Sequence, residues 1–150
     1  MTIETVFVLC NLSVLPAWLL LVFAPRSPWT ARVVHSMLVP VVLGTVYVLT
    51  FALAPPPPEG GSFSSLPGVM ALFTSPYVAL AGWVHYLVFD LFVGAWEVRD
   101  AERHGIRHLV VVPCLLLTFV LGPSGLLAWL GVRWGMRGVV GLGETRLAGS

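Results

Sequence analysis

The stretch from Pro76 to Asp100, PYVALAGWVHYLVFDLFVGAWEVRD, constrains the fold more than any other. It is apolar enough to cross a bilayer, yet it carries His85 and Asp90 inside the span and Glu97 near its end. A charged group at the bilayer centre costs roughly 3 kcal/mol on insertion scales, so such residues are partnered or at work. At 100° per residue, a helix puts Trp83, Leu87, Asp90, Gly94 and Glu97 on one face. His85, Phe89, Phe92 and Trp96 fall on roughly the opposite face. Gly94 leaves room beside Asp90 for a neighbouring helix or a ligand. The structural alternative is that Asp90 and His85 only knit helices together through interhelical hydrogen bonds.

The rest of the chain suits that reading. Of its 150 residues, 57% are hydrophobic and 10% charged, and the mean hydropathy is +0.92. Such a composition excludes a soluble domain. A net charge of +1 makes no case for nucleic acid. All eight basic residues are arginines, placed at the ends of apolar runs where their side chains reach the interface. Cys10 and Cys114 stand alone in apolar runs and read as small core residues.

Four apolar segments predict an all-α, polytopic bundle of four transmembrane helices in residues 1–132, followed by a Gly/Arg-rich tail in residues 133–150. The first span covers Thr5 to Ala24, without signal-peptide flanks, and Pro16 kinks it. The second covers Val33 to Leu53, with Pro40 as an internal kink and Thr45, Tyr47 and Thr50 needing partners in the bundle. The prolines of APPPPEGGSFSS end it. Leu66 to Thr74 forms a short interfacial helix or simply leads into the central span. The turn VRDAERHGIRH holds the densest charge. His104 and His108 have ligand spacing there, but no third ligand is near, so a solvated turn is preferred to a metal site.

The fourth span, Leu109 to Val132, is broken by Gly122-Pro123-Ser124-Gly125. Pro123 removes the bond to the Phe119 carbonyl, and glycines uncover the backbone. Non-helical backbone at membrane depth is tolerated only against protein or a lined cavity. GPSG is therefore either one wall of a site facing the central helix or a close helix crossing. With four spans, loops one and three hold five arginines against three at the opposite side. That bias puts those loops in the cytoplasm and both termini outside.

PAWLLLVFAP, Tyr47, WVHYLVFDLFVGAWEVRD and TFVLGPSG (Thr118 to Gly125) resemble the neoxanthin-synthase-like family, the plant abscisic-acid-deficiency type with many bacterial relatives. The resemblance covers nearly the whole chain and is most specific from Trp83 to Trp96. It implies a small integral membrane protein that handles a carotenoid or similar isoprenoid. The Arg-only, Pro- and Gly-rich composition points to a bacterial member. Opening a tertiary epoxide to an allenic alcohol, the chemistry tied to the plant members, needs no redox cofactor. An acid protonates the epoxide oxygen as its C–O bond breaks, and a base takes a vinylic proton.

Asp90 and His85 are the catalytic candidates. They lie about 140° apart on an ideal helix, so Asp90 pairs more easily with Glu97 or Tyr47. Tyr47, Trp83, Tyr86, Phe89, Phe92, Gly94, Trp96, Thr118, Gly122, Pro123 and Gly125 are the substrate-binding candidates. No metal or cofactor is expected. The partners are the lipid bilayer and a hydrophobic isoprenoid, with a homo-oligomer or larger membrane complex also open. The alternative function is a non-catalytic carotenoid- or lipid-binding protein or a subunit of a pigment complex.

Overall fold

The Thr2 hydroxyl accepts the Thr5 N–H at 3.1 Å and so starts α1, Ile3–Phe23, in the computed structural model, which describes residues 2–142. Pro16 lies inside α1, which continues past it. Ser27 caps α2, Pro28–Val33, with Pro28 at a position whose N–H is not needed. Four residues break the chain before α3, Leu38–Ala52. Pro40 thus sits in the first turn of α3 and is not the internal kink expected, because the helix starts five residues later than Val33. Thr45 and Thr50 do not seek partners across the bundle. Their hydroxyls donate to Val41 and Val46 carbonyls of their own helix, both at 2.7 Å.

After the proline-rich loop come α4, Leu66–Leu72, and α5, Pro76–Arg103, with Pro76 at its first turn. α6 runs over His108–Leu121 and α7 over Pro123–Arg137, so the helix passes Val132 and includes Arg133. Every described residue outside helices lies in turns or loops, and none forms a strand. Among the described residues, three segments are long and apolar enough to cross a membrane, Ile3–Phe23, Pro28–Ala52 and Pro76–Arg103. α5 is the hub. It packs against α1, α3, α6 and α7, and half of its most apolar window is buried, against 28% in α1.

The fourth apolar segment is not one broken helix. α6 begins at the Arg99–Arg103 end of α5, where His108 Nε2 meets the Val22 carbonyl at 2.9 Å. It reaches Asp90 at Gly122 and turns back. On the return, Trp129 and Arg133 meet Asp100, and the Arg137 guanidinium donates to the Gly105 carbonyl at 2.8 Å. α6 and α7 are therefore an antiparallel hairpin with both feet at one end. The break at Gly122 leaves two short arms. The 14 residues of α6 rise about 21 Å, short of the roughly 30 Å hydrocarbon core. Gly122, at φ 47° and ψ −102°, reverses the chain there.

This path changes the charge count. Arg26 bonds Glu102 at 3.0 Å and Arg99 bonds His35 at 3.0 Å, which puts residues 24–37 at that same end. Arg26, Arg32, Arg99, Arg103, Arg107, Arg133 and Arg137 all gather there. The opposite end has no arginine among the described residues, and Arg146 of the expected tail lies outside them.

Candidate functional site

The hairpin tip meets α5 at Asp90. Asp90 is 9% exposed, and its Oδ2 has no hydrogen-bond partner among the described residues. Gly122 stands directly against it: a Cβ there would lie 2.9 Å from Oδ1 and 3.1 Å from Oδ2. Only glycine permits both that approach and the positive φ. Gly122 is also the N-cap of α7, with Pro123 as its first helical residue, so the positive end of the α7 dipole lies at the carboxylate. GPSG thus faces the central helix, as a turn and not a kink.

Pro123 has no N–H to give to the Phe119 carbonyl. The Tyr86 hydroxyl supplies one at 2.9 Å while adjoining the Asp90 carboxylate. Tyr86 thereby ties the helix break to the acid. One wall of a cavity of about 290 Å³ is formed by Tyr86 and Leu87, with Asn11, Trp83, Phe119 and Val120 around it. The Trp83 indole N–H donates to Asn11 Oδ1 at 3.0 Å. Asn11 escaped the sequence reading, yet the only asparagine of the chain, set inside an apolar span, was the signal for it.

Glu97 shares the Asp90 face, as the helical spacing requires. It is fully buried, accepts the Thr118 hydroxyl at 2.9 Å on Oε1, and leaves Oε2 without a partner among the described residues. Gly125 packs so tightly on Thr118 that a Cβ would overlap its backbone N and Oγ1. The space at Gly94 is filled by the Trp18 ring of α1, 2.8 Å from where a Cβ would stand.

His85 is not brought to Asp90. It is exposed on the outer face of α5, stacked on Phe89 at 4.4 Å between ring centroids. Tyr47 joins that cluster, 6.1 Å from His85 and 5.1 Å from Phe51, and so does not reach Asp90 either. Phe89 and Phe92 project outward, at 55% and 59% exposure. Trp96 lies under the Arg133 guanidinium, 5.7 Å from its ring centroid.

A second buried assembly was not foreseen. Asp100, 1% exposed, takes Arg133 through both carboxylate oxygens at 3.2 and 3.1 Å, Trp129 Nε1 at 3.0 Å and Arg103 at 3.3 Å. Its saturation contrasts with Asp90 and Glu97. Asp100 holds the hairpin by its foot, while the other two acids keep an unpartnered oxygen.

Three long apolar helices and an internal helical hairpin, closed on a buried acid, define a helical membrane protein with a carboxyl group in its core. The chain belongs to the ABA DEFICIENT 4-like family, whose pattern it matches over residues 5–129. It is 32% identical over 122 residues to Protein ABA DEFICIENT 4, chloroplastic, from Arabidopsis thaliana, across 75% of this chain. The match spans 55% of that relative, so the chain accounts for about half its length. No solved structure matches.

Proposed function

We propose that this protein acts on a carotenoid or similar isoprenoid by cofactor-independent acid–base isomerisation in the membrane, with Asp90 handling the proton. Membership of the ABA DEFICIENT 4-like family supports the substrate class. The observation that carries the chemistry is a buried carboxylate with an unpartnered oxygen at the tip of the hairpin. A cavity of about 290 Å³ suits one end group of an isoprenoid, its chain remaining in the lipid. Tyr86 and Trp83 line that space, and Thr118, Pro123 and Gly125 keep the tip in place. His85, Tyr47 and Phe89 form an aromatic ledge outside, suited to the polyene.

The protein spans the membrane three times, with the hairpin re-entering from the arginine-rich end. Seven arginines there, against none among the described residues opposite, support a cytoplasmic side for residues 24–37 and 104–107. The N-terminus then lies outside, and the end of α7 lies inside.

Expression in a carotenoid-producing host, with chromatography of extracted pigment, tests the activity. Wild type should convert pigment, and Asp90→Asn, which keeps shape but not the transferable proton, should lose about 100-fold in turnover while remaining folded. Pigment that co-purifies unchanged with both proteins would establish a binder instead, a reading favoured by the exposed aromatic ledge.

A further inference from the structure

A ligand in the cavity beside the hairpin tip does not meet Asp90 directly, because Asp90 is not among the described residues that line it. Three lining side chains are polar, Asn11, Trp83 and Tyr86, and the rest are apolar. The Trp83 N–H is engaged by Asn11 Oδ1, and the Asn11 amide donates to the Phe7 carbonyl at 2.8 Å. An indole and an amide hold their hydrogens and do not serve as acid–base groups, whereas a phenol does. Any proton that passes between the protein and a ligand in this cavity therefore passes through Tyr86.

The bonds around that hydroxyl run in one direction. A phenol has one proton to donate and lone pairs with which to accept. Its proton goes to the Phe119 carbonyl at 2.9 Å, an acceptor that Pro123 leaves without a helix donor. The lone pairs remain for the adjoining Asp90 carboxyl, which can donate to them while it carries a proton. We propose, building on the acid–base reading above, that Tyr86 is a catalytic residue that passes the proton between Asp90 and the ligand. As the hydroxyl turns from Phe119 and gives its proton to the ligand's accepting atom, the Asp90 carboxyl proton moves onto Tyr86 Oη. Tyr86 stays neutral and Asp90 becomes a carboxylate. The proton that the ligand then loses from carbon returns to Asp90 through the same hydroxyl, so the isomerisation neither gains nor loses a proton.

The test uses the full chain in a carotenoid-producing host, with turnover per folded protein read by pigment chromatography and folding by detergent melting. Tyr86→Phe should keep its co-purified pigment while turnover falls about 100-fold, as in Asp90→Asn. Groups that act in series fail together, so the double variant Tyr86→Phe/Asp90→Asn should be no slower than either single variant. Independent contributions would multiply instead, to a loss of about 10,000-fold, and would overturn the relay. A fluorinated tyrosine in place of Tyr86 keeps the hydroxyl and its bond to Phe119 but is a more acidic phenol, and it carries the test even where Tyr86→Phe fails to fold. Its turnover should change several-fold at an unchanged melting temperature; unchanged turnover would reject the relay. Wild-type turnover in Tyr86→Phe beside an inactive Asp90→Asn would mean that Asp90 meets the ligand directly, which rejects the relay and keeps the acid–base reading. A wild type that converts no pigment would reject both.

Discussion

Asp100→Asn should destabilise the protein far more than Asp90→Asn, and the reason can be worked from the partners. Asp100 is the counter-charge of Arg133, and both are 1% exposed. Asparagine can still accept the Trp129 N–H through its amide oxygen, but it removes the charge that two Arg133 contacts use. Stranding a buried charge costs roughly 3–5 kcal/mol. The Trp96 face holds Arg133 in both forms and so offsets none of this. The loss is therefore at least about 3 kcal/mol. On the scale of soluble domains of 150 residues that lowers the melting temperature by about 6–12 °C. The assay is thermal unfolding in detergent across a double-mutant cycle with Arg133→Met. In the double variant no charge is stranded, so its cost should fall about 2 kcal/mol short of the sum of the single variants. Additivity within about 0.5 kcal/mol would refute the ionic clamp.

The remaining predictions concern the hairpin. Gly125→Leu should abolish folding or lower thermal stability sharply, because its Cβ would meet Thr118 backbone, whereas Val120→Leu, at an exposed position, should melt like wild type. Tyr86→Phe should cost about 1–2 kcal/mol in detergent melting by leaving the Phe119 carbonyl without its donor; an unchanged melting temperature would mean that another group serves that carbonyl. Reporter fusions in intact cells should find the N-terminus and the C-terminal end of α7 on opposite sides. Finding them on one side would restore the four-span path.

The face shared by Asp90, Gly94 and Glu97 was legible because helical spacing is a local property. So was the separation of His85 from Asp90. The orphaned Phe119 carbonyl followed from Pro123 alone, but its donor, Tyr86, lies 33 residues earlier and could be found only once α5 docked on α6. Arg133 was misplaced for a similar reason. At the end of an apolar run an arginine reads as interfacial, and Asp100, its partner, lies 33 residues away. The hairpin itself was hidden because 24 uncharged residues satisfy a length rule whether they continue or fold back. What separates the two paths is the positive φ of Gly122, a backbone property that GPSG permits and does not dictate.

Seen mechanically, the hairpin is a cantilever fixed at its foot. Arg137 grips Gly105 and Arg133 grips Asp100, whereas the tip at Gly122 rests on a carboxylate and is held only by the neutral-donor bonds Tyr86–Phe119 and Thr118–Glu97. The 11 residues from Gly122 to Arg133 make an arm of about 16 Å, and a tilt of about 5° at the foot moves the tip by about 1.4 Å. That displacement exceeds the tolerance of a hydrogen bond. A tilt at the arginine-rich foot would therefore be felt, enlarged, at the Asp90 carboxylate.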